Sequence, residues 1–356
     1  MKILHSADFH LDTPFQGRTA EETAYLKQAL LSVPAKVAKC CREEGCDLVL
    51  LAGDLFDGAP TRASIEALQS ALEEMEVPVF IAPGNHDFLT PDSPYLTRKW
   101  PNNVHIFTSD TIQSVVIPEL DCRIYGAGYK SMDCLGLLEG FHIQGDEKYH
   151  VAVLHGDPTQ LRSPYCPVTA RQVEESGLDY LALGHIHAGG SFRAGETLCA
   201  WPGSPMGRGY DELNEKGVLV TALKDTATAR FEILDTARFF DMEVNVCGDP
   251  KAALEAALPP AGNKYFYRIT LTGTARQMDL AVLQKEFSHF PHLQLRDKTL
   301  PEGDLWSAIG EDSLEGVFFR LLHDAMEDQP PQVQQELKLA AAISRQILDG
   351  QEVTLP

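Results

Sequence analysis

The sequence predicts an α/β layered domain, followed by a small α+β unit and a C-terminal helical tail. Three observations lead there. Over the first 240 of 356 residues, short apolar runs alternate with helical patterns. Near residue 240 this gives way to a strand–helix–strand–helix–strand pattern. From residue 313 onward, apolar residues recur at helical spacing on one face.

The apolar runs place strands at 2–7, 47–52, 77–82, 104–107, 113–117, 123–127, 150–154 and 180–183. Three more follow at 198–201, 217–223 and 229–234. Helical patterns fill 21–44, 62–75 and 169–176. Residues 241–300 form a separate unit, with strands at 242–246, 265–271 and 293–296 and helices at 250–257 and 276–290. In the stretch SLEGVFFRLLHDAM, the residues Leu314, Val317, Phe318, Leu321, Leu322 and Ala325 share a helix face. A second tail helix is expected at 332–347, after the Pro330–Pro331 break. The organisation expected is therefore 1–240, 241–300 and 301–356, without internal repeats or low-complexity segments.

Composition narrows the function. A hydrophobic content of 44% with 23% charged residues describes a soluble globular protein. No apolar run reaches the length of a membrane span, and the N-terminal residues turn polar before a signal-peptide core could form, so a cytoplasmic location and no membrane partner are expected. The eight cysteines form no CxxC pair, which argues for reduced, mostly buried thiols rather than a zinc knuckle or disulfide framework. A formal net charge of −21 opposes broad adhesion to nucleic acid, which depends on Lys and Arg neutralising phosphates. A local site is still compatible with it, because metal-binding carboxylates add to the acidity and bound cations reverse its local sign.

Five motifs follow five of the expected strands. SADFH presents Asp8 and His10, two residues apart and so able to face one cation from an extended segment. LLAGDLFD presents Asp54 and Asp57, and PGNHD presents Asn85, His86 and Asp87. VAVLHGD presents His155, and LALGHIH presents His185 and His187. Each has an ordinary explanation alone: a lone histidine after a strand is usually a hydrogen-bonded loop residue, and an Asp after Gly is usually a turn or cap. Five together, all at strand ends, point to a metal centre.

The ordered set DxH, GDxxD, GNHD, HGD and GHxH resembles the calcineurin-like metallophosphoesterases. The stretches ILHSADFHLD, LVLLAGDLFD and PGNHD are most similar to their SbcD and YhaO group of DNA-repair exonuclease subunits. The resemblance covers roughly residues 1–240. It implies an αββα sandwich, with the α+β unit as a cap. It assigns Asp8, His10 and His187 to one metal and Asn85, His155 and His185 to a second, with Asp54 bridging both. His86 then faces the phosphate as charge stabiliser or proton donor, and Asp57 orients it. The reaction implied is in-line attack of a metal-activated water on a DNA phosphodiester. A donor set of imidazole, carboxylate and amide oxygen without thiolate suits manganese, with iron, zinc or magnesium as alternatives.

The segment WPGSPMGRGYDELNEKG resembles the group's PGSP element, in which Ser204 and Arg208 would contact a DNA phosphate; a plain Pro/Gly return loop explains it equally well. Arg98, Lys99, Lys130, Arg162, Arg171 and Arg193 are further basic candidates that nothing in the sequence separates. The resemblance also implies that the tail helix docks a coiled-coil ATPase of the SbcC or YhaN type, and a homodimer is left open. The competing functions are a small-molecule phosphodiesterase acting on cyclic nucleotides and a non-catalytic regulatory subunit. Among the histidines outside the motifs, His5 stands out because it lies on the strand leading to Asp8.

Overall fold

The computed structural model describes residues 1–259, 261–275, 278–301, 305–348 and 350. The chain divides into two units, Met1–Phe239 and Phe240–Pro356. In the first, the strands are β1 (Lys2–Ser6), β2 (Leu48–Leu51), β3 (Val79–Ile81), β4 (Val104–Ile106), β5 (Gln113–Ile117) and β6 (Cys122–Gly126). They continue with β7 (Tyr149–His155), β8 (Tyr180–Gly184), β9 (Ala188–Ala194), β10 (Thr197–Gly203), β11 (Gly217–Leu223) and β12 (Ala227–Ile233). Two six-stranded sheets result, ordered β12-β11-β1-β2-β3-β4 and β5-β6-β7-β8-β10-β9. Within the first, β1 to β4 run parallel; within the second, β6, β7, β8 and β10 do.

Alternation along the strands builds the core between these sheets. Ile3, Leu48, Leu50 and Phe80 of one face meet Ile124, Val151, Val153, Tyr180 and Ala182 of the other. Helices carry the outer faces. The expected helix 21–44 is two, α1 (Ala20–Leu31) and α2 (Val33–Glu44). The interruption follows from Pro34: lacking an N–H, it fits only in the first turn, so Ser32 closes α1 and α2 restarts around the proline. Thr19 opens α1 with a capping box to Glu22, and Gly45 at φ 60° ends α2. Then come α3 (Arg62–Glu74), the short α4 (Pro94–Thr97) and α5 (Ala170–Ser176). The first unit is thus a sandwich of two sheets flanked by helices.

Strand β9 was not expected, because its sequence AGGSFRA lacks an apolar run. It forms as an edge antiparallel to β10, where Gly190 lets the backbone lie against the Trp201 ring; a Cβ there would come 2.5 Å from the indole. All eight cysteines are free thiols, and Cys41, Cys46, Cys122, Cys166 and Cys199 are buried.

The second unit contains β13 (Arg238–Gly248), α6 (Pro250–Ala257), β14 (Tyr265–Ala275), α7 (Leu280–Glu286), β15 (Leu293–Asp297) and the two-residue β16 (Leu300–Pro301). The expected helix 276–290 is shorter here, because the Asp279 carboxylate accepts the Ala281 and Val282 N–H groups and so opens α7 at Leu280. Arg276 and Gln277 lie outside the described residues. The tail follows as α8 (Leu314–Asp324) and α9 (Pro331–Leu348), with Phe319 and Ala341 buried between Trp306, Ile309 and Leu322. Leu314, Val317, Phe318 and Leu321 of the anticipated stripe are exposed. Residues 351–356, the end of the expected tail, lie outside the described residues. Among the described residues, no helix is long and apolar enough to cross a membrane.

Candidate metal centre

The motifs converge because parallel strands end at one edge. Beyond β1 and β2 the two loops remain paired: the Asp8 N–H reaches the Gly53 carbonyl at 3.0 Å and the His10 N–H the Asp54 carbonyl at 2.9 Å. Asp8, His10 and Asp54 hold left-handed φ angles of 54°, 48° and 52°, and His185 stands at 94°. Four non-glycine residues in this region, all in the motifs, are backbone strain concentrated at one place. Gly84 provides the close approach. A Cβ on it would lie 2.3 Å from Asp54 Oδ1 and 2.8 Å from His155 Nδ1.

Ligand-type atoms gather in overlapping groups: Asp8, His10 and His187; Asp54, His155 and His185; and His10, Asp54 and His86. Within each group they lie within 4.8 Å of one another. Asn85 joins the second, its Oδ1 2.9 Å from His155 Nε2. Asp54 is common to both sides, with Oδ2 3.6 Å from His10 Nε2 and 3.4 Å from His155 Nε2. All seven residues expected as ligands are therefore in one cluster, five of them almost fully buried: Asp8, His10, Asp54, Asn85 and His155.

The imidazoles also suit a cation. His155 Nδ1 lies 2.8 Å from the Ala52 carbonyl, so that nitrogen carries the proton and Nε2 is left as a donor to metal. His10 Nε2 and His187 Nε2 face each other at 3.1 Å, while His10 Nδ1 is buried without a hydrogen-bond partner. Two ring nitrogens so placed, beside two carboxylates, fit a divalent ion shared between them.

The buried charges are coupled to one another. Burial pushes the Asp8 carboxyl up against the pull of His155 and His187. Burial also opposes ionisation of Asp54, but His155, His10 and the His86 N–H outweigh it and hold that carboxyl below its ordinary range. His155 is pushed down by its burial yet pulled up to about 9 by Asp54 and Asp8. His185 is lowered to about 4 by burial and by neighbouring His155.

His86 stands exposed at the rim, its ring 4.6 Å from that of His10. Its Nδ1 is 2.9 Å from Asp57 Oδ1, and Asp57 Oδ2 accepts the Thr13 hydroxyl at 3.0 Å. Asp57 raises the His86 pKa against partial desolvation. In turn His10, His86 and Thr13 hold Asp57 below the usual carboxylate range. Beside them opens a cleft of about 410 Å³ that includes His86, Phe88 and Arg98 in its lining. Asp87 points inward instead, accepting the Gly84 and Leu55 N–H groups at 2.7 and 2.8 Å and the Tyr95 hydroxyl at 2.6 Å. It ties the turn after β3 to the loop after β2.

The PGSP segment differs from expectation. Ser204 is buried, its hydroxyl 3.3 Å from Glu212 Oε2, so it presents no face to a phosphate. Arg208 forks onto the Glu212 carboxylate, with Nε at 3.1 Å and a closer contact from Nη2. Glu212 also lies 2.9 Å from His187 Nδ1. Its burial opposes the charge, but His187 and Arg208 hold its carboxyl well below the ordinary range. Neither Glu212 nor Tyr165, whose ring lies 4.7 Å from that of His185, was singled out from the sequence. Of the other basic candidates, Lys130 pairs with Asp110 and Arg171 with Glu175. His5 is structural: Nε2 meets the Leu183 carbonyl at 3.0 Å and Nδ1 the Tyr180 hydroxyl at 2.7 Å, joining the two sheets.

The profile of the calcineurin-like phosphoesterases matches residues 1–189. The chain is 31% identical over 233 residues to the uncharacterized metallophosphoesterase YhaO of Bacillus subtilis, a match spanning 61% of this chain and only 56% of that relative. It is 20% identical over 357 residues to the SbcD subunit of the nuclease SbcCD of Staphylococcus epidermidis, covering 85% of this chain and 92% of the other. A solved structure, TT1561 of Thermus thermophilus, is 12% identical with a TM-score of 0.40, covering 65% of this chain and 98% of that one.

Proposed function

The chain belongs to the calcineurin-like phosphoesterase family, and from that premise we propose that it is a two-metal phosphodiesterase acting on DNA. The observation that carries the reading is the convergence of His10, His187 and His155, through Nε2, on Asp54 and Asp8, with the His86–Asp57 pair at the rim. Asp8, His10 and His187 would hold one ion and Asn85, His155 and His185 the other, with Asp54 between them. Manganese best suits the donor set. Bound divalent ions supply Lewis acidity and lower the pKa of water.

The protein's own residues supply the rest. His86 keeps a proton on Nδ1 for Asp57, which leaves Nε2 for the substrate. With its pKa raised, it is charged over a wider range near neutrality and suited to stabilise phosphate charge or protonate a leaving oxygen. The cleft beside it gives a flanking group room. The relative named as a nuclease supports a nucleic acid as substrate, and its being named as a subunit supports a partner. In this reading a coiled-coil ATPase covers Leu314, Val317, Phe318 and Leu321 on α8. The high negative charge favours a cyclic nucleotide as the competing substrate.

The test pairs end-labelled DNA with cyclic nucleotides under manganese, magnesium or chelator, beside His86→Ala. DNA cleavage with manganese, abolished by chelator and reduced 10²- to 10⁴-fold in His86→Ala with metal content unchanged, is expected. A His86→Ala protein that loses its metals, or keeps full activity, removes His86 from this role. Inert DNA alongside rapid cyclic-nucleotide hydrolysis shifts the substrate class.

A further inference from the structure

We propose that Glu212 is a positioning residue for the metal centre: its carboxylate accepts the Nδ1 proton of His187 and so turns Nε2 of that ring toward Asp8 and His10. The inference rests on the metal-centre reading above and concerns how one of its ligands is held.

His187 needs such a brace more than its counterpart across the site. The His155 ring is fully buried and fixed by a backbone acceptor, the Ala52 carbonyl. The His187 side chain is one-third exposed, at 33%, and its Nδ1 meets side chains instead. Two of them stand at the same distance, Glu212 Oε1 at 2.9 Å and Arg208 Nη2 at 2.9 Å, and they demand opposite tautomers.

A bond from Arg208 would need a lone pair on Nδ1, which places the proton on Nε2, facing His10 Nε2 at 3.1 Å. A bond to Glu212 needs the proton on Nδ1 and leaves the Nε2 lone pair free for a cation. Only the second is compatible with His187 as a ligand. Arg208 has another acceptor at hand, because its Nε and Nη2 both reach the Glu212 carboxylate.

Glu212 is itself tightly held. It is 6% exposed, and the Arg208 backbone N–H (3.0 Å) and the Ser204 hydroxyl (3.3 Å) both donate to Oε2. Arg208 neutralises it, so the brace orients the ring without adding net negative charge beside Asp8 and Asp54. The PGSP segment thereby acquires a different purpose from phosphate contact: Ser204 and Arg208 fix the acid that fixes the ligand.

The test uses the full chain, stripped with chelator and titrated with Mn²⁺ by calorimetry, comparing wild type with Glu212→Gln and Glu212→Asp. In Glu212→Gln the amide nitrogen can face Nδ1 and select the wrong tautomer. One of two Mn²⁺ sites should weaken 10- to 100-fold while the other stays within about threefold, and Glu212→Asp should recover part of the loss.

A long-range ¹⁵N spectrum of the Zn²⁺-loaded wild type, with His187 assigned by comparison with His187→Gln, should show a proton on Nδ1. That measurement needs no Glu212 variant to fold. Two unchanged sites in Glu212→Gln, equal weakening of both, or a proton on Nε2 of His187 in the loaded wild type would overturn the proposal. Wild type binding fewer than two ions would instead overturn the metal-centre reading beneath it.

Discussion

At the residue scale, buried rings divide into those that serve the site and those that serve the sandwich. His5 belongs to the second kind. Fully buried, it is lowered to about 3 by desolvation, only partly offset by its bond to the Leu183 carbonyl. The neutral ring donates to Leu183 and accepts from Tyr180, so both nitrogens are satisfied without charge. Well above pH 6.5 neither folded nor unfolded chain protonates it. Below that, the unfolded chain takes up a proton that the fold refuses, and stability falls as pH drops toward 3, by at most about 1.4 kcal/mol per unit. Between pH 6.5 and 5, urea denaturation should show wild type losing about 1.6 kcal/mol more than His5→Gln. Parallel curves would place the acid sensitivity elsewhere. The motif residues were legible because five strand ends repeat one chemical theme, whereas Glu212 sits in a segment rich in ordinary acids. Its one local sign is Arg208 four residues earlier in a Gly/Pro-rich stretch with no helix to require that pairing.

At the element scale, the site depends on how closely the turn after β3 approaches the loop after β2. Gly84 sets that distance, and Asp87 anchors it through the Gly84, Leu55 and Tyr95 bonds. Gly84→Ala puts a methyl group where Asp54 Oδ1 and the Asp54 N–H already stand, at 2.3 and 2.9 Å, and neither can retreat far in a packed interior. The expected result is a folded protein whose Mn²⁺ affinity falls at least tenfold, read by metal analysis after gel filtration. Gly310→Ala, with nothing within 4 Å of its added methyl, should match wild type. Equal metal content in both variants would mean that the turn tolerates the displacement. The sequence showed strands of the first unit to within a few residues because buried strands are apolar throughout. It did not show β9, since a glycine-lined edge has no apolar run, whereas the break at Ser32 was already legible in Pro34, which does not fit the interior of a continuous helix.

At the scale of the whole molecule, the formal charge of −21 has to be reconciled with the polyanionic substrate proposed above. Two divalent ions bring it only to −17 (−21 + 4), so long-range attraction does not follow even for the loaded protein. Arg208, the arginine beside His187, is engaged by Glu212, and Lys130 and Arg171 have acidic partners. In the proposed reading, contact of the isolated chain with DNA is local, made mainly where bound cations would meet the scissile phosphate. Such binding releases few counterions. In the His86→Ala protein with Mn²⁺, fluorescence anisotropy should give a slope of log K against log salt between about −1 and −2, little changed between short and long strands, because each neutralised phosphate contributes about −0.9. A slope steeper than about −4 would reveal a basic track that these ion pairs argue against. The shallow slope would leave capture of long DNA to another molecule, the role that the proposed reading gives to an ATPase covering α8.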